Sequence, residues 1–175
     1  MSAGTNTPPE GAAVVVLGPG GRDIALRLRH ALPGSTIHGL AGRVEGADET
    51  FDETMTHLRG LFAAGVPIVG ICAAGILIRA VAPLLADKGV EPPVVAVAED
   101  GATAVPLLGG HRGANRLAQA IAKACGGTAA VTTAGDVRFG VALDEPPAGW
   151  RVANRAAAKD VAAALLAGEA VALRV

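Results

Sequence analysis

The 175-residue sequence has no tyrosine, three phenylalanines and one tryptophan, so aromatic residues make up only 2% of it. That scarcity excludes recognition of nucleic acid by stacking bases on rings. It also demands a core of Val, Ile, Leu and Ala, the composition of strands buried on both faces. An excess of one charge is missing as well: 15 Lys and Arg against 16 Asp and Glu leave a net charge of −1. A broad electrostatic grip on nucleic acid or a membrane surface is therefore not expected. Cysteine is limited to Cys72 and Cys125, without CxxC spacing, which reads as two buried thiols in a reducing compartment. The opening MSAGTNTPPEGAA lacks the basic stretch and apolar run of a signal peptide, so the expected location is cytoplasmic. One run, PIVGICAAGILIRAVAPLLA at 67–86, is apolar enough to mimic a membrane span. Arg79, Pro83 and its small-residue breaks read instead as a buried strand, a turn and a helix.

What the chain does have is 51% hydrophobic residues arranged in alternating short β-branched runs and amphipathic stretches. Ala12–Leu17 reads as a strand, followed by a glycine turn and a helix with Ile24, Leu28 and Leu32 on one stripe. Thr36–Leu40 reads as a short strand. A helix is expected over 49–64, with Phe51, Met55, Leu58 and Phe62 inward. Strands follow at 68–72, 92–100, 105–108 and 128–133, and helices at 76–88, 114–124 and 157–167, with Pro83 kinking the first of these or opening its second segment. A last strand is expected at EAVALRV, and DEPPAGW reads as a polar connection. The alternation predicts an α/β fold: a three-layer, mostly parallel, Rossmann-like sheet with a short C-terminal extension. The expected divisions are a disordered tail at 1–12, an α/β domain at 13–136 and a further segment at 137–175.

On such sheets ligands bind beyond the carboxyl ends of the strands. The loops expected there are GPGGR, CAAG, EDG, GGHRG and TTAGD. GPGGRD places Gly18 and Gly20 as in a dinucleotide fingerprint, but Asp23 stands where the third glycine belongs, so a tight turn or an anion nest competes with a dinucleotide site. Arg79 reads either as a structural ion-pair partner or as a cation for an acidic ligand. Lys88 reads as the close of its helix. Glu99 and Asp100 are either a self-bonded turn or a general base and its neighbour. His111, between Gly110 and Arg112, sits in a loop and not on an apolar helix face, which suits a neutral proton acceptor as well as an incidental residue. His30, His38 and His57 are scattered, and no metal-ligand spacing is found.

GICAAGILIRAVAPLLADK, then EPPVVAVAEDGATAVPLLGGHRGANRLAQAIA, then AAVTTAGD, resemble the N-terminal part of the cobalamin-biosynthesis protein G family, the cobalt-precorrin-5A hydrolases. The resemblance runs over about 12–175, with Asn154 and Lys159 in matching positions of the segment that follows. It implies hydrolysis of a ring lactone on a cobalt-bearing tetrapyrrole with loss of acetaldehyde. Cobalt would then arrive inside the substrate, and the protein would hold no metal or cofactor of its own. For that chemistry, His111, Glu99 or Asp100 is expected to activate water, with amides of the Gly110–Gly113 loop holding the oxyanion. Gly20, Gly21, Arg22, Arg79, Lys88, Gly109, Gly110, Arg112, Gly113, Asn115, Thr132, Thr133 and Asp136 are expected to bind the substrate's carboxylates and ring. The expected partners are this tetrapyrrole and a precorrin methyltransferase, fused or separate, or a C-terminal hydrolase domain. A non-catalytic module that holds a corrinoid intermediate is the alternative.

Overall fold

β1 (Ala13–Val16) is AVVV, and all four residues are fully buried. Val14 and Val16 pack on one side with Leu28, Leu117 and Ile121, while Ala13 and Val15 pack on the other with Leu58, Leu77 and Phe62. A strand apolar at every position is what a sheet covered on both faces requires. The computed structural model describes residues 8–139 and 151–172. These fall into two compact units, divided between Ala130 and Val131.

The larger unit holds a seven-stranded sheet in the order β3-β2-β1-β4-β5-β6-β7. Its strands are β1, β2 (Thr36–Leu40), β3 (Glu49–Phe51), β4 (Ile68–Ile71), β5 (Val94–Val97), β6 (Thr103–Leu108) and β7 (Thr128–Ala129). β1 pairs in parallel with β2 and β4, β2 with β3, and β4 with β5. β6 runs antiparallel to β5, and β7 runs parallel to β6. α1 (Arg22–Ala31) and α4 (Ala114–Cys125) cover one face, and α2 (Thr54–Ala63) and α3 (Ala74–Val81) cover the other. The fold is therefore α/β with a mostly parallel sheet. Ile24, Leu28 and Leu32 are buried as their spacing requires, and so are Ala114, Leu117, Ala118 and Ile121 of α4. Each fully buried Leu or Ile contributes about 1.5–3 kcal/mol.

Several local expectations need correction. Residues 49–51 are strand β3 and not the start of a helix; α2 begins at Thr54, where the Glu53 carboxylate accepts from the amides of Met55 and Thr56. The helix expected over 76–88 ends at Val81, and Pro83 opens a separate 3-10 segment at Ala82–Leu84, one of the two outcomes expected of it. Lys88 accordingly lies in a turn, whose Gly89 amide donates to Asp87, and does not close a helix. Residues 8–12 join the larger unit: the Gly11 amide donates to the Pro33 carbonyl, and Ala12 is fully buried.

The smaller unit contains α5 (Ala134–Phe139) and α6 (Arg155–Ala167). The strand expected at 128–133 shortens to β7, and Ala134-Gly135-Asp136 opens a helix in place of a turn. Asn154 caps α6 by accepting from the Ala157 amide. Arg138 donates to the Leu166 carbonyl. Residues 169–172 form no strand; 173–175, and the DEPPAGW stretch at 144–150, lie outside the described residues. No helix among the described residues is long and apolar enough to cross a membrane.

Candidate functional site

Strand order decides which loops share an edge. The chain leaves β1 toward β2 and β3 on one side, then crosses to β4 and β5 on the other. The point of reversal lies between the carboxyl ends of β1 and β4, and a crevice at such a point is where open α/β sheets hold ligands. Its walls are Leu17–Gly21, which enters α1 through a 3-10 turn, and Cys72–Ala73, which enters α3. Apart from Leu17 and Pro19 the side chains here are small, and neither helix has a side-chain cap.

The turn after β5 flanks this crevice. Glu99 is exposed, and its carboxylate rests on Gly20, where a side chain of any size would collide with it. Asp100 behaves differently: its carboxylate accepts from the Ala102 amide and shapes the turn. Of the two carboxylates offered as a base, Glu99 faces the crevice loop and Asp100 is committed to local structure. Gly101, with φ +73, completes the reversal into β6.

Arg22 was expected to clamp a substrate carboxylate. Its Nε donates to the Glu45 carbonyl at 3.0 Å. This fastens the 41–48 loop, which follows β2, beside the start of α1. Val44 of that loop is buried in the core. The link joins residues 23 positions apart and has no local sequence signal. Arg79 folds back along its own helix and donates to the Gly75 carbonyl. Cys72 is half-buried, and burial pushes its thiol up to about 11, so it does not act as a thiolate near neutrality.

The Gly-Gly-His-Arg-Gly loop is not at this edge. Because β6 is antiparallel to β5, Thr103 lies beside the carboxyl end of β5 and Leu108 beside its beginning. The loop is thus displaced from Glu99 and Asp100 by the length of β6, about 17 Å at 3.3 Å per residue. Its surroundings agree. A side chain on Gly109 would strike the backbone of Pro92 and Pro93, and Arg112 donates to the Gly89 carbonyl. Gly109, Gly110, His111, Arg112, Gly113 and Asn115 therefore form a second cluster at the opposite edge. His111 lies in the 3-10 turn Gly110–Arg112, and its side chain is outside the described ones.

Two of the proposed oxyanion donors of that loop, the amides of Arg112 and Gly113, are committed. The Gly109 carbonyl accepts from the amides of Arg112 and Ala114, and the Gly110 carbonyl from that of Gly113. Asn115 is buried at the start of α4. A reaction that needs His111 and Glu99 on one substrate atom does not fit this geometry.

Thr132, Thr133 and Asp136 belong to the smaller unit. Thr133 donates to the Asp136 carboxylate at 2.6 Å. Thr132 borders an open depression of about 750 Å³ with Ala134, Val137, Arg138 and Leu166. Among the described residues no group of three His, Cys, Asp or Glu side chains is placed to hold a metal ion.

Four similarities accompany this geometry. Residues 56–136 match the family model described as cobalamin synthesis G N-terminal. The cobalt-precorrin-5A hydrolase of Salmonella typhimurium is 38% identical over 140 residues, 78% of this chain and 39% of its own length. That of Priestia megaterium is 29% identical over 139 residues, 75% of this chain and 37% of its own. The chain thus spans about two fifths of the length of these relatives. A crystal structure described as that of a candidate cobalamin biosynthesis protein G homologue from Sulfolobus solfataricus superposes with a TM-score of 0.54 at 17% identity, covering 97% of this chain and 52% of that one. At that identity it speaks for the fold alone.

Proposed function

Because the chain belongs to the cobalamin synthesis G family through the region matched at 56–136, we propose that it is the N-terminal part of a cobalt-precorrin-5A hydrolase acting in cobalamin biosynthesis. The observation that carries the reading to a place on the molecule is the crevice between the ends of β1 and β4, with Glu99 lying on Gly20 at its side. Small residues on both walls admit the rim of a flat ring. Glu99, exposed and carboxylate-bearing, is suited to take a proton from the water that attacks the lactone carbonyl. Opening the lactone then frees an alkoxide; as it becomes the carbonyl of acetaldehyde, its carbon–carbon bond to the macrocycle breaks and the bonding pair stays on the conjugated ring. Cobalt enters as part of the substrate, and the substrate is a soluble corrinoid precursor.

The Gly109–Gly113 loop, at the other edge of the sheet, takes no part in this reading. A second reading is favoured by the separation of the Gly110–Gly113 amides from Glu99 by the length of β6: this region holds a corrinoid intermediate without transforming it and presents it to another domain or to a precorrin methyltransferase.

Titrating the purified chain with cobalt-precorrin-5A, followed by absorbance and by trapping of acetaldehyde, separates the two. Turnover that releases acetaldehyde supports the hydrolase. Binding without acetaldehyde supports the holding module. Neither binding nor product would overturn both.

A further inference from the structure

We propose that His38 and His57 form a one-proton clasp that holds α2 against the β2–β3 edge and opens when a second proton arrives. The two residues play no part in the proposed reaction. His38 is 4% exposed, a rare position for a histidine on a strand near a sheet edge. Its Nε2 lies 2.9 Å from Thr36 Oγ1, and its Nδ1 lies 3.0 Å from His57 Nε2. His57 projects from α2, half-buried, and stacks on Phe51 of β3 with ring centroids 4.3 Å apart and planes within 4°. Three elements thus meet on one pair of imidazoles.

Proton counting gives the pair its character. A 3.0 Å nitrogen–nitrogen contact needs one N–H and one lone pair. Two neutral rings supply them in suitable tautomers, and a singly charged pair still does. A doubly charged pair presents N–H groups to each other from both sides, and the contact is lost. The carboxylates nearby favour the first proton. Glu49 of β3 lies 3.5 Å from His38 Nδ1, and Asp48 precedes it.

Neither carboxylate is placed to rescue the second proton. Asp48 is held by Arg29 of α1 at 2.9 Å and by the Ile37 amide at 2.8 Å. The Glu49 side chain is 62% exposed, so water screens its charge. From α2, the Glu53 carboxylate is occupied by two amides of its own helix, and Arg59 donates to the Ala80 carbonyl. Burial lowers both histidines below their ordinary value, and for His57 the charge of His38 adds to it.

The experiment is a long-range proton–nitrogen correlation of the imidazole nitrogens in the 15N-labelled full chain, titrated from pH 8 to 4.5. The expected result is two coupled steps shared by His38 and His57, more than one pH unit apart, with the backbone amides of β3 and the first turn of α2 shifting only in the second. Independent single steps at the value of a free imidazole would overturn the proposal. So would a second step that leaves those amides unmoved. His57→Gln offers His38 a neutral partner, so a single His38 step should remain and the amides of β3 and the first turn of α2 should stay unmoved through it; amides that still shift in that variant would overturn the clasp. Should that variant not fold, the titration of the unmodified chain decides by itself.

Discussion

The Glu99 carboxylate and Gly20 belong to turns that follow different strands, yet the first lies where the second's side chain would be. The relationship is functional in direction, because the obstructing atoms are the tip of an exposed, flexible side chain. Gly20→Ala should leave stability within about 0.5 kcal/mol and displace Glu99. Corrinoid-directed activity in a turnover-competent form should fall about 10- to 100-fold. Glu99→Gln should lower the rate of acetaldehyde release by about 10²–10⁴-fold with substrate affinity little changed. Unfolding curves beside the kinetics check both variants.

Gly109, at the opposite edge, and Gly126, at the end of α4, make a matched pair. Both have φ near +70°, but a side chain on Gly109 meets the Pro92 and Pro93 backbone at 2.8 Å, while one on Gly126 meets nothing. Gly126→Ala should cost about 1–2 kcal/mol, the left-handed backbone term alone. Gly109→Ala should cost more, by roughly a further 1–3 kcal/mol, because backbone cannot swing aside. Denaturant midpoints measure the difference.

Stability should fall as pH falls through the histidine range. His38 and His57 bind protons less readily folded than unfolded. The unfolded chain therefore takes up protons first, and the slope of stability against pH is positive there. The loss should begin near pH 6.5, the unfolded value, and end once pH lies below the lowered folded values. His38→Gln combined with His57→Gln should flatten that limb, as followed by thermal melts at closely spaced pH.

Cys72 should resist alkylation. With its thiol raised to about 11, about one part in a thousand is thiolate at pH 8. Iodoacetamide labelling read by peptide mass spectrometry should modify Cys125 ahead of Cys72. Labelling of Cys72 should rise steeply between pH 9 and 11 as the thiol ionises.

Much of the sheet was legible because burial on both faces leaves an unmistakable mark. AVVV, IVGI and VVAV are apolar at nearly every position, and TIHGL has the length and turns of a strand. β3 was hidden for a physical reason. Phe51, Met55, Leu58 and Phe62 are spaced by three and four, so the inward residue of a strand continues the stripe of the helix after it. The reversal of β6 left no trace either, since TAVPLL has the same pattern read in either direction. That silence placed GGHRG on the wrong edge and joined His111 to Glu99. The His38–His57 pair joins a strand to a helix 19 residues away, and no local spacing announces it.

The antiparallel β5–β6 hairpin also orders events in time. Each parallel pairing in this sheet must close a connection that includes a helix or a long loop before any ladder bond forms. β5 and β6 need only the five residues from Ala98 to Ala102. Loop closure and hairpin formation are fast at that length. The last parallel strand to be synthesised in the β1–β5 series therefore finds its neighbour first on its downstream side. Among the pairings of this sheet, β5 with β6 thus closes the shortest connection and carries the smallest loop-closure cost.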